Sequence, residues 1–230
     1  MRYLFPLGDE VMEILYEDNH IIVVVKEPGI LSQEDNTGDK DMLTLIKSYL
    51  KEKFNKPGNV FLGLIHRLDR MVGGVMIFAK TSKAASRLSE QVRNHSFQKK
   101  YLAVVHGKTK VEDTLINYLK KDVRTNTVYV KPQEVSQVKR AELHYKRIQF
   151  KDNLSLVDID LKTGRPHQIR VQFSHIHHPL IGDKKYGKKD GFTSIGLYAY
   201  QLSVYHPTTK ELLTFTKKPS TNFPFNEFSF

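Results

Sequence analysis

The sequence predicts an α+β fold with a mixed, largely antiparallel central sheet flanked by helices. Three observations lead there. Short runs of Val, Ile, Leu, Phe and Tyr outnumber segments with helical spacing. Most of these runs are joined by short polar turns, such as Lys151-Asp152-Asn153 and His206-Pro207-Thr208-Thr209, so neighbours should pair as hairpins. Three segments only carry apolar residues at helical spacing. No shift in composition marks a linker, so one domain over residues 1–230 is expected, with its core at about 12–216.

Residues 1–10 read as an irregular arm. Met12 to Tyr16 and His20 to Lys26 read as strands joined at Glu17-Asp18-Asn19, and the β-branched run Ile21 to Val25 predicts burial on both faces. Ser32 to Asp41 is polar and predicts a surface loop. Met42, Leu45, Ile46, Tyr49 and Leu50 follow at helical spacing, with Asp39 or Asp41 as cap. Two apolar runs, Val60 to Ile65 and Val75 to Ala79, predict strands around a charged loop. A second helix starts at Thr81 or Ser82 and carries Ala84, Ala85, Leu88 and Val92 on one face, with Lys83, Arg87 and Arg93 on the other. Tyr101 to Val105 is a strand. Residues 108–140 have weak periods, with short elements at Leu115 to Leu119 and Val128 to Val130. Ala141 to Phe150 and Leu154 to Leu161 form a hairpin. Thr163-Gly164-Arg165-Pro166 turns into a third helix, with Pro166 as its first residue. A loop rich in glycine and lysine covers Leu180 to Gly191. Leu197 to Tyr205 and Leu212 to Thr216 close the chain as a hairpin before an aromatic-dotted tail.

Composition narrows the function. Lysine and arginine number 36 against 25 acidic residues, a net charge of +11. An excess of that size points to a polyanionic partner, nucleic acid before membrane. There is no cysteine, hence no disulfide framework and no thiolate metal site, which fits a reducing cytoplasm. No run approaches the ~18 apolar residues of a membrane helix, and the N-terminus lacks the apolar core of a signal peptide. Walker loops, dinucleotide fingerprints, Gly-x-Ser-x-Gly and His-Glu-x-x-His are all absent. His175, His177 and His178 are too few, without an acidic partner nearby, to hold zinc.

Three stretches can carry chemistry. In Leu64-Ile65-His66-Arg67-Leu68-Asp69-Arg70-Met71-Val72-Gly73-Gly74-Val75 one carboxylate stands between two arginines, with glycines behind it. Nearby cations favour the charged form of a carboxyl group, which a nucleophile or base needs. A plain ion pair of Asp69 with Arg67 or Arg70 explains the same residues, and His66 reads as a hydrogen-bonding residue. Tyr101, behind Lys99-Lys100, suits either a base-stacking platform or a core contact. In Thr163 to Arg170, Arg165 sits at a helix start and Arg170 is placed for a bidentate carboxylate pair. Lys184 and Lys185 belong to a loop that reads as a phosphate patch or as a solvated surface.

These motifs, in this order, resemble the RluA-type pseudouridine synthases. The likeness includes Lys26-Glu27-Pro28-Gly29, His66 to Gly74, Phe78-Ala79-Lys80-Thr81, Lys100 to Gly107, Thr163 to Arg170, Gly182-Asp183 and Tyr186-Gly187, so it spans roughly residues 12 to 216. Gly73 stands where the family loop commonly has serine, which removes a hydroxyl but not the nucleophile. The N-terminal S4-type RNA-binding domain of many relatives is not expected here. The resemblance implies the pseudouridine synthase catalytic fold with its site in a basic cleft, and isomerisation of uridine in rRNA or tRNA to pseudouridine after base flipping. Asp69 would be the nucleophile, Arg170 its ion-pair partner and Tyr101 the ring on the uracil. Arg67 would fill the space of the flipped base. His66, Arg70, Lys100, Arg165, His167, Lys184 and Lys185 would join it on the RNA. The isomerisation is redox-neutral, so no cofactor and no metal are expected; the partner is RNA, with no membrane and no obligate protein partner, and the chain is expected to be a cytoplasmic monomer. The competing reading is a catalytically inactive RNA-binding module of the same fold.

Overall fold

A computed structural model describes residues 3–7, 10–219 and 222–229. In chain order the first strands and helices are β1 (Tyr3–Leu7), β2 (Glu10–Glu17), β3 (Ile21–Lys26), α1 (Met42–Lys53), β4 (Gly63–Leu64), β5 (Gly73–Ala79) and α2 (Ser82–Arg93). Then come β6 (Gln98–His106), β7 (Glu112–Asp122), β8 (Thr127–Lys131), β9 (Lys139–Lys151), β10 (Leu154–Leu161), α3 (Gln168–His175), β11 (Leu197–Tyr205) and β12 (Leu212–Thr216). The α+β expectation holds. The chain divides into two compact units, Met1–Gln98 with Ala199–Lys218, and Lys99–Tyr198 with Pro219–Phe230. No helix among the described residues is long and apolar enough to cross a membrane.

In the first unit the strands lie in the order β1-β2-β3-β5-β11, with β4 on β5 and β12 on β11. β3 and β5 pair antiparallel from Ile21↔Ala79 to Lys26↔Gly74. Every residue of both strands is buried, as fits the β-branched run of β3 and the apolar run of β5. On one face Ile21, Val23, Val25, Val75, Ile77 and Ala79 form a core with Ala84 and Leu88 of α2, Phe97, Leu202 and Val204. Each buried Val, Leu, Ile or Phe contributes about 1.5–3 kcal/mol, so this layer is a rigid base for the loop entering β5. Asp41 caps α1, its carboxylate accepting from Thr44 N–H, and Thr81 caps α2 through Ala84 N–H. The charged face of α2 is partly engaged, because Arg87 donates to Pro207 O at 2.7 Å.

The second unit orders its strands β6-β10-β9-β7-β8, and every pair is antiparallel. α3 packs on this sheet, with Val171 against Leu119, Val128 and Ala141.

Four expectations need correction. The arm over 1–10 contains β1, paired with β2, while residues 1, 2, 8 and 9 lie outside the described residues. The strand expected over Val60 to Ile65 shrinks to Gly63–Leu64. Residues 108–140 hold two full strands; β7 buries only Leu115 and Leu119, four positions apart, so no period-2 signal arises. Finally, α3 begins at Gln168 rather than Pro166. His167 precedes it in the left-handed region at φ 52°, and that break delays the helix.

Candidate active site

Asp69 is half-buried in the loop between β4 and β5. Its shape is imposed by the segment after β3. Lys26 ends β3 fully buried, and its ammonium donates to Glu27 O (3.0 Å), Ile30 O (2.7 Å) and Arg70 O (2.9 Å). Burial pushes this lysine down to about 8, against the opposing pull of the Asp69 carboxylate. Gly29 N–H also donates to Arg70 O, at 2.8 Å. On the other flank, buried Ser32 donates its hydroxyl to Leu68 O (2.8 Å) and accepts Leu68 N–H (3.0 Å). The residues before and after Asp69 are therefore both tied by backbone groups to 26–32. Val72 N–H closes the turn on Asp69 O at 2.9 Å. Gly74 carries φ +135°, and a Cβ there would fall 2.3 Å from Ala199 O, so only glycine lets the loop run into β5.

The other predicted residues of this loop separate by role. His66 accepts Ile77 N–H on Nε2 at 3.2 Å and meets Phe97 edge-on at 5.2 Å, a place beneath the loop. Arg70 turns back on its own unit, to Asp39 (2.7 Å) and Gly29 O (3.1 Å), so Asp39 is an anchor rather than the helix cap. Arg67 is exposed, and no ion pair or side-chain hydrogen bond holds it among the described residues. Residues 33–40 are exposed, as the surface loop requires; only its ends are buried, Ser32 (5% exposed) on Leu68 and Asp41 (3% exposed) as the cap of α1.

The remaining predicted residues lie in the second unit. Tyr101 is the fourth residue of β6, paired with Ile159 and 6% exposed. Lys100 beside it lies 3.8 Å from Asp158. The Lys99 ammonium is so close to Gly164 that a Cβ there would sit 2.9 Å away, and burial lowers its pKa. The stretches around Tyr101 and Arg165 are thereby neighbours. Gln168 organises the start of α3, its Oε1 accepting Arg165 N–H (3.0 Å) and the Thr163 hydroxyl (2.8 Å). Arg165 donates from Nε to Arg140 O at 2.9 Å.

Arg170 forms the bidentate pair its position suggested, with Asp183. Nε donates to Oδ2 and Nη2 to Oδ1, each at 2.8 Å. Burial disfavours the Asp183 carboxylate. The Arg170 hydrogen bond and charge, with the N–H groups of Tyr186 and Lys185, outweigh it and hold the group below its ordinary range. The Tyr186 ring lies 5.2 Å from the guanidinium carbon, and His167 Nδ1 is 2.7 Å from the Tyr186 hydroxyl. In the lysine-rich loop Lys184 is exposed, whereas Lys185 ties back to Asn126 O at 2.9 Å. Asp190 pins the same loop by accepting Gly182 N–H (2.8 Å) and bonding His106 Nε2 (2.9 Å). Among the residues that shape these loops, Lys26 and Tyr186 fall within stretches that carry the family resemblance, whereas no local feature of the sequence marks Ser32 or Asp39 as an anchor.

The family model for RNA pseudouridylate synthase matches residues 20–175, which include the whole Asp69 loop, Tyr101 and Arg170. The chain belongs to this family. Among curated relatives, ribosomal large subunit pseudouridine synthase C of Buchnera aphidicola subsp. Schizaphis graminum is 35% identical, covering 85% of this chain and 63% of its own length. tRNA pseudouridine synthase C of Haemophilus ducreyi is 32% identical, covering 88% of this chain and 89% of its own length. The chain thus spans a little under two thirds of one of these pseudouridine synthases and nearly all of the other. In fold it is similar to the solved human RNA pseudouridylate synthase domain containing 1, with a TM-score of 0.75 at 22% identity over 94% of this chain and 86% of that one.

Proposed function

We propose that this chain isomerises uridine in structured RNA to pseudouridine, with Asp69 as nucleophile. The observation that carries the reading is the family match across 20–175 together with an aspartate loop fixed on both flanks. Preorganisation of that kind serves a group that must meet a reacting atom in one geometry. The C1′–N1 glycosidic bond breaks, the uracil turns, and C5 bonds to C1′ while the C5 proton is lost and N1 gains one. Atoms and electrons balance without a co-reactant. Tyr101 and Arg170 take the roles the resemblance gives them, on the uracil and in the service of the nucleophile. Arg67, exposed beside Asp69, enters the space left by the flipped uridine. Lys100, Arg165, His167, Lys184 and Lys185 are the remaining RNA-side residues of the proposal; His66 and Arg70 act instead through the shape of the loop. The working form in this reading is a cytoplasmic monomer acting on rRNA or tRNA, as relatives of both names suggest.

Mapping pseudouridine in total RNA of a deletion strain, complemented with wild type or Asp69→Asn, tests it. Modified positions should vanish on deletion and return with wild type alone. Restoration by Asp69→Asn overturns the nucleophile assignment, and an unchanged map overturns the activity.

A further inference from the structure

We propose that Asp183 and Tyr186 are positioning residues that fix the plane and direction of the Arg170 guanidinium; the inference rests on the isomerase reading above. An arginine side chain has several rotatable bonds to fix, so a guanidinium that must point one way needs external restraint. Asp183 supplies it edge-on. Its two oxygens engage Nε and Nη2, which leaves the Nη1 edge outside that fork. The carboxylate is itself fully buried, with Oδ1 also accepting N–H from Lys185 (3.0 Å) and Tyr186 (3.1 Å). Asp183 O takes Gly187 N–H at 2.8 Å and closes the turn.

Tyr186 restrains the guanidinium from the side of the aromatic ring. That ring is anchored at both ends. Its hydroxyl accepts Val128 N–H at 2.8 Å and bonds His167, and its carbonyl accepts the Ser174 hydroxyl at 2.7 Å, one helical turn beyond Arg170. The restraints on Tyr186 therefore refer back to β8, to α3 and to His167 just before it, and those on Asp183 close its own turn. Stability alone does not explain the arrangement. A buried ion pair is often no more stabilising than apolar residues of the same volume. What a fork adds over an apolar pair is direction, and lysine cannot reproduce it.

The test uses the full-length protein and an RNA carrying the mapped uridine, with single-turnover rate and RNA Kd measured in parallel. Asp183→Asn should slow the single-turnover step roughly ten- to a hundredfold, as small misplacements of a catalytic cation do, with Kd within about threefold of wild type. In an Arg170→Lys background the same substitution should cost no more than about twofold, because the fork it would break is already gone. Tyr186→Phe should retain more activity than Tyr186→Leu, which removes the ring. A wild-type rate for Asp183→Asn overturns the proposal, and so does a loss of RNA affinity that accounts for the loss of rate. If Asp183→Asn does not fold by circular dichroism, Tyr186→Leu decides, and a wild-type rate there overturns it. Full activity of Asp69→Asn sinks the isomerase reading instead, whereas an inactive Asp69→Asn beside fully active Asp183→Asn and Tyr186→Leu sinks this inference alone.

Discussion

Replacing Ser32 by alanine removes one hydroxyl and leaves two buried backbone groups, Leu68 N–H and Leu68 C=O, without the partner seen at 3.0 and 2.8 Å. Ser32 is only 5% exposed, so water has little access to either group. An unsatisfied buried group costs about 1–3 kcal/mol, so two of them make the expected loss roughly 2–6 kcal/mol. For a chain of this size that corresponds to a fall in Tm of about 4–24 °C. Leu68 immediately precedes Asp69, so the isomerisation rate should fall as well, at temperatures where the variant is fully folded. Calorimetry and a single-turnover assay at 25 °C read the two effects separately. Ser32→Thr, which keeps the hydroxyl, should recover most of the rate. A Tm within about 1 °C of wild type, with an unchanged rate, refutes the idea that this hydroxyl holds the loop.

Other perturbations probe different parts of the molecule. Arg67→Ala should leave Tm unchanged within about 1 °C, since nothing among the described residues holds the side chain, yet lower the rate on structured RNA; a wild-type rate removes Arg67 from the mechanism. Gly74→Ala combines φ +135° with a Cβ 2.3 Å from a backbone oxygen and should cost more than about 3 kcal/mol by urea unfolding, an estimate that a loss below about 1 kcal/mol defeats. For Lys26, burial lowers the folded-state pKa to about 8, so the unfolded chain binds more protons between pH 8 and about 10.4 and stability gains with rising pH there. The unfolding free energy of wild type minus that of Lys26→Met should grow by up to about 3 kcal/mol from pH 7 to 10, and a flat difference contradicts the burial argument. Asp18 behaves oppositely. Burial disfavours its carboxylate, but N–H groups of Ile21 and His20, then His206 and Tyr16, outweigh that and lower its pKa, so its stabilisation is complete above the unfolded carboxyl value of about 3.9 and is lost as pH falls through the folded one. Asp18→Asn should flatten the acid side of the stability curve, and an unchanged acid slope refutes it.

Much of this arrangement was legible in the residues themselves. The run Ile21 to Val25 announced a strand buried on both faces, and Thr81 capped its helix where the pattern put it. The Asp69 loop and the fork-forming geometry of Arg170 were readable as well. What escaped depends on partners distant in sequence. Ser32 meets a residue 36 positions away and Lys26 one 44 positions away, and nothing local marks either as buried. Asp183, which Arg170 meets at 2.8 Å, lies only 13 residues on, in a loop read for its lysines rather than its aspartates. β7 escaped for another reason, since most of its residues are not buried and hydrophobic periodicity had nothing to report.

The scaffolding around Asp69 has a consequence for how such a loop can diversify. Its course is dictated by an ammonium, a hydroxyl and a glycine N–H that all grip main-chain carbonyls or amides. Main-chain atoms are the same whatever side chain they carry. Arg67 and Met71 are exposed, and nothing in that grip depends on what they are. The loop thus separates two demands on one short peptide: its course is decided from outside through main-chain atoms, and the exposed side chains at 67 and 71 take no part in setting it.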